Sequence, residues 1–161
     1  MNLEDLYGRY GENLYRYLVF RLGSPEDAED VLQETFCRFA RYAVRWRLVR
    51  KPQAFVFRVA RNEVNRFLRR KLGRSGGDPV PLDRAFSFSA ALAAPPEPSG
   101  LLLLELADRL PEEQREVIFM KIFDGLTFKE IGSACGIPAN TAASRYRYAL
   151  EKLRAGLEER R

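Results

Sequence analysis

The feature that most narrows the fold is periodicity. Wherever apolar residues recur regularly in these 161 residues they do so every three or four positions, and no stretch keeps up the alternation of a strand. Leu3, Leu6, Tyr10, Leu14, Tyr17 and Leu18 form the first stripe, and Gly23 supplies its stop. Ser24-Pro25-Glu26-Asp27 opens a second helix, with serine as N-cap, proline at the first helical position and an acid at the third. Its apolar face is Ala28, Val31, Leu32, Thr35, Phe36 and Phe39. The period fades around 43–51, and Pro52 starts a third helix to about Arg70. There Val56, Val59, Ala60, Val64 and Phe67 make the stripe, which Glu63 partly spoils. The fold class is therefore all-α.

Breakers divide the chain. Glycine and proline concentrate in 73–100, between two periodic regions, and so long a connection is uncommon inside one compact domain. The expected organisation is two small helical domains, 1–72 and 101–161, joined by a flexible Gly/Pro-rich linker over 73–100. In the second domain Thr127 and Glu130 form a capping box that opens a short helix through about Ala134, and Gly136 fits a left-handed turn residue. Ile137-Pro138 leads into a further helix with Ala142, Tyr146, Ala149, Leu150 and Leu153 on its core face. Its other face carries Asn140, Thr141, Ser144, Arg147 and Tyr148, with Arg145 at the margin. A short helix, a glycine turn and a second helix with polar and cationic first turns describe a helix-turn-helix that reads duplex DNA in the major groove.

Charge is sorted along the chain in a way that the overall balance of +5 hides. Residues 1–36 hold 8 acidic and 3 basic side chains, whereas 37–74 hold 13 basic and 1 acidic, a shift from −5 to +12. The basic block is built to meet a polyanion. At 100° per residue Arg58, Arg61, Asn62, Asn65 and Arg69 share one narrow sector of the third helix, with Trp46, Phe55 and Phe57 nearby. Cations tracking a backbone, beside rings that stack on bases, suit single-stranded nucleic acid. For Phe55 and Phe57 an ordinary core role is an equal alternative.

The composition also excludes classes. There is no histidine, and the two cysteines, Cys37 and Cys135, are far apart and read as small buried hydrophobes. No metal site, no catalytic residue, no cofactor and no small-molecule substrate is expected. A metal-dependent nuclease would need converging carboxylates, and the basic block has only Glu63. No apolar run approaches the roughly 20 residues of a membrane span, and the acidic N-terminus is unlike a signal peptide, so no membrane insertion and a cytoplasmic location are expected.

Three strings in register resemble the bacterial RNA polymerase sigma factors of the compact extracytoplasmic-function (ECF) group: Ala28-Glu-Asp-Val-Leu-Gln-Glu-Thr-Phe36, Val59-Ala-Arg-Asn-Glu63 leading to Leu68-Arg-Arg70, and Leu110-Pro-Glu-Glu-Gln-Arg-Glu-Val117 through Asn140-Thr-Ala-Ala-Ser-Arg145. The resemblance spans about 3–71 and 101–156. It implies that Asp27, Asp30, Gln33 and Glu34 dock on a coiled coil of the largest subunit of core RNA polymerase. It implies that Trp46, Arg50, Lys51, Arg58, Arg61 and Asn62, with Asn65 and Arg69 on the same face, melt and hold the minus-ten element of promoter DNA. Asn140, Thr141, Ser144, Arg145, Arg147 and Tyr148 would then read the minus-thirty-five element, and an anti-sigma factor would be a regulatory partner. Phe55-Val56, Arg66, Ala142-Ala143 and Tyr148 depart from residues frequent in the family, so no promoter consensus carries over. A stand-alone helix-turn-helix regulator is the alternative; it does not account for the −5/+12 polarity.

Overall fold

The computed structural model describes residues 2–42, 45, 48–71 and 98–160, and among them the only regular elements longer than a turn are helices. Trp46 and most of the expected linker lie outside the described residues.

Three helices make the first bundle. Helix α1, Leu3–Leu22, begins at an Asn2–Asp5 capping box and ends at Gly23, whose φ of 69° is left-handed. Helix α2, Pro25–Arg41, starts as its sequence predicts, with the Ser24 hydroxyl accepting from the Asp27 N–H at 3.3 Å. Helix α3, Pro52–Lys71, places Arg69, Arg70 and Lys71 at its C-terminal end, where cations oppose the helix dipole. Leu6, Leu14, Leu18, Val31, Phe39, Val56, Ala60 and Val64 fill the space between the three.

Glu63 does not spoil that core, because it is a paired charge. It is buried, and its carboxylate takes the guanidiniums of Arg38 on α2 and Arg66 on its own helix. Two other expectations change. Cys37 is exposed, on the solvent side of α2, and Leu150 is 42% exposed and outside the core. Phe57 is fully buried, edge-on to Tyr17, and Phe55 packs against the core and Tyr42, so both rings take the core role.

The second group comprises α4 (Pro98–Asp108), α5 (Glu112–Ile122), α6 (Phe128–Cys135) and α7 (Ala139–Glu159). Helix α4 begins inside the expected linker. The turn between α6 and α7 follows the sequence reading: the Thr127 hydroxyl and the Glu130 carboxylate each accept a backbone N–H at 3.1 Å, and Gly136 has φ 71°. Gly132 lets this turn close, since a Cβ there would stand 2.6 Å from the Ile137 carbonyl oxygen.

The two groups share one core. Phe119 of α5 is fully buried and stacks on Phe20 of α1, with ring centroids 4.2 Å apart and planes 9° from parallel, while α6 packs along α3. The two helical sets are those the breakers divide, and Phe20 and Phe119, buried against one another, bring them into contact.

Candidate nucleic-acid and polymerase interface

The recognition helix presents its polar residues to solvent. At the start of α7 Asn140 is exposed and Thr141 and Ser144 are half-buried, while Arg147 and Tyr148 are exposed one turn on. The Arg147 guanidinium lies over the Tyr148 ring, 5.3 Å from its centroid, which holds both on the same side. Arg145 is half-buried and 3.8 Å from the Glu113 carboxylate. Six residues expected to read duplex DNA are thus brought together along one helix.

The face of α3 is divided. Arg58, Asn62 and Arg69 are exposed, as are Arg50 and Lys51 just before the helix. Arg61 and Asn65 are not available in the same way. Arg61 Nε donates to Glu116 Oε1 at 2.8 Å, and Asn65 Oδ1 accepts from Arg21 at 2.8 Å. Glu116 belongs to α5, so a residue of the second helical group holds one expected DNA contact and, through Arg21, adjoins another.

Glu116 is 5% exposed and receives three groups: Arg61, the Tyr17 hydroxyl at 3.0 Å and the Arg21 guanidinium at 3.7 Å. Burial alone would raise its pKa, but Arg21, Arg61 and the hydrogen bonds outweigh it and hold the carboxyl below its ordinary range. Burial likewise works against the Arg61 charge, and Glu116 reverses the balance and raises it. Tyr17, fully buried, is pushed well up, chiefly by desolvation. The cluster is therefore ionised as a unit: one carboxylate, two guanidiniums and a neutral phenol. Tyr17, Arg21 and Glu116 were invisible as site residues in the sequence. The one local hint is an acid set directly before the apolar run Val117-Ile-Phe-Met120.

The acidic face of α2 lies as the helical period requires. Asp30, Gln33 and Glu34 are exposed and Asp27 is half-buried, with Asp27 Oδ2 accepting from Lys71 at 2.6 Å. These four line a groove between α2 and α3, opposite Phe67 and Arg70. Gln33 also edges a second groove of about 640 Å³ between α1 and α2, floored by Tyr7, Gly11, Tyr15, Leu32 and Phe36 and carrying glutamates but no base. Sequence reading missed this groove, because it depends on how α1 and α2 pack, which periodicity along one helix does not carry.

Among the described residues no group of His, Cys, Asp or Glu could hold a metal ion, and no helix is long and apolar enough to cross a membrane.

A helix-turn-helix beside a bundle with one acidic and one basic helix face defines a DNA-binding transcription protein of two functional surfaces. Residues 6–73 match the family described as Sigma-70 region 2, and residues 100–153 that described as Sigma-70, region 4. Among relatives, the ECF RNA polymerase sigma factor SigL of Mycobacterium tuberculosis is 30% identical over 98% of this chain and 89% of its own length. The sigma factor SigZ of Bacillus subtilis is 27% identical over 98% and 88%. The fold is similar to RpoE of Bartonella quintana, solved in complex with the anti-sigma factor NepR, with a TM-score of 0.66 over 98% of this chain and 99% of that one at 20% identity. The chain belongs to the ECF RNA polymerase sigma factors. It binds core RNA polymerase and directs promoter recognition and transcription initiation.

Proposed function

We propose that the sigma-factor work is divided between residues 1–72 and residues 101–161 and carried by the side chains on the faces described above. Asp27, Asp30, Gln33 and Glu34 dock on the polymerase, and the apolar α1–α2 groove that shares Gln33 extends that surface toward α1. Arg50, Lys51, Arg58, Asn62 and Arg69 grip the melted minus-ten strand, joined by Arg61 and Asn65 when these are released, and by Trp46. Cations along α3 neutralise phosphates of the strand while a base is held out of the stack. Asn140, Thr141, Ser144, Arg145, Arg147 and Tyr148 read the minus-thirty-five duplex through the major groove. The chain acts in the cytoplasm, where an anti-sigma factor restrains it.

The observation that carries this assignment is the polarity of one bundle: exposed acids on α2 and exposed bases on the adjoining α3. Acids cannot grip a phosphate backbone, so the first surface serves a basic protein and the second serves DNA. Co-elution with sigma-free core polymerase, followed by run-off transcription from pooled promoters, tests it. The natural chain is expected to co-elute and to give discrete transcripts. Asp30→Lys is expected to lose co-elution while keeping duplex binding; retained affinity for core would show that α2 is not the docking face.

A further inference from the structure

The junction between the two helical groups is built from charge as well as rings, and its charged part draws on the DNA face of α3. Glu116 stands on α5, while all three groups it receives, Tyr17, Arg21 and Arg61, stand on α1 and α3. Within the second group the carboxylate also adjoins the Cys135 thiol of α6. Docked, its Oε1 accepts from Arg61 Nε at 2.8 Å, a charge-assisted hydrogen bond of the kind a backbone phosphate oxygen also makes to a guanidinium. Arg61 is 28% exposed and lies at the open edge of the cluster, so a strand running along Arg58 and Asn62 would meet it there.

We infer that Glu116 is an autoinhibitory latch, a carboxylate that occupies Arg61 in place of a DNA phosphate and keeps the free chain closed until a strand or the polymerase displaces it. This rests on the assignment of the α3 face to the minus-ten strand. Closure and strand binding then compete for one guanidinium, so weakening the latch strengthens binding to single-stranded DNA in the absence of polymerase. An inert structural ion pair would give the opposite sign, because its loss would only loosen the protein.

The protein carries its own reporter of closure. Cys135, at the end of α6, is half-buried beside this cluster, with its Sγ 3.8 Å from Met120 Sδ, and its thiol is pushed up to about 12, first by desolvation and then by the Glu116 charge. Cys37 is exposed on α2 and serves as internal standard. In the full chain treated with a thiol reagent, Cys37 is expected to react quickly and Cys135 slowly. Glu116→Lys is expected to speed Cys135 about tenfold or more, since the thiolate is the reactive form and both its burial and the adjacent carboxylate are removed. Glu116→Gln, which removes the carboxylate charge without adding a cation, is expected to bind a short single-stranded DNA of random sequence several-fold more tightly at low salt. Glu116→Gln keeps the size and a hydrogen-bond partner for Tyr17, and carries the test in the same direction if the lysine variant loses helix content. A natural chain whose Cys135 reacts as fast as Cys37 would overturn the closed state. Faster Cys135 with no gain in strand binding would overturn the competition. Failure of both natural and variant chains to support run-off transcription with core polymerase would instead strike the functional assignment and leave the thiol result standing.

Discussion

The two helices that face DNA differ in how their polar side chains are held. On α7, Asn140, Arg147 and Tyr148 are exposed, and the one ion pair of this face among the described residues, Arg145 to Glu113, is long at 3.8 Å. On α3, Arg61 and Asn65 are built into a buried cluster anchored from the other helical group. A helical wheel drawn from sequence treats both faces alike. The difference teaches that a cation pointing the right way is a contact only if no internal acid has taken it, and that acid can be 55 residues distant along the chain.

The sharpest way to break the comparison is to remove the ring that fixes α5 to α1. Phe119→Ala deletes a fully buried side chain stacked on Phe20, and is expected to cost about 3–5 kcal/mol in thermal or chemical unfolding. A loss below about 1 kcal/mol, the range of surface changes, would mean that the groups do not share a core.

A smaller effect is expected from pH. Asp124, just past the end of α5, is buried, its backbone carbonyl accepts from the Gln53 side chain of α3, and neither carboxyl oxygen has a hydrogen-bond partner among the described residues. Desolvation pushes this acid up to about 8, with Arg16 of α1 opposing. The packed state therefore binds a proton that the exposed carboxyl releases near its ordinary value of 3.8. Its contribution is fully present below about pH 4 and is lost as pH rises through 8, so stability is expected to fall by roughly 2 kcal/mol between pH 6 and 8. Melting at the two pH values checks it, and Asp124→Asn is expected to flatten the difference. A natural chain equally stable at both would sink this account.

What was legible beforehand divides along the same line. Ser24, Thr127, Glu130, Gly23 and Gly136 announce helix ends because caps and left-handed turns are settled within four residues of chain. The exposed polar face of α7 follows from period alone. The fate of Glu63, Glu116, Cys37 and Phe57 was not legible, since each depends on which helix lies opposite. An acid on an apolar stripe reads as a flaw until its guanidiniums are seen, and some of those come from far along the chain, Arg38 for Glu63 and Arg21 and Arg61 for Glu116.

On α7 the comparison is sharpened by Arg147→Ala, expected to weaken duplex binding by about 1–3 kcal/mol if the contact is a bidentate pairing with a base. Binding measured on duplexes varied at single positions decides it. Loss confined to one position identifies the base, whereas a uniform loss with a shallower salt dependence reassigns Arg147 to a phosphate. Thermal stability is expected to stay unchanged, because the exposed guanidinium packs over the exposed Tyr148 ring of its own helix.

The smallest effect is expected from Arg58→Ala, and it separates the free from the tethered cations of α3. Arg58 is exposed, so its truncation removes one phosphate contact and nothing from the core. Single-strand affinity is expected to drop by about 1 kcal/mol or less at moderate salt, with the slope of log affinity against log salt falling by about 0.7. The Cys135 reaction rate and the melting temperature are expected to match those of the natural chain. Arg61→Ala removes a cation from the same face but also leaves Glu116 with one guanidinium fewer, so its strand-binding loss is accompanied by faster Cys135 reaction and lower stability. If the two variants behave alike in all three measurements, Arg61 is no more tethered than Arg58 and the asymmetry between α3 and α7 disappears. If only Arg61→Ala moves the thiol and the melting temperature, the face of α3 has two populations of cations, one standing ready and one that opening must release.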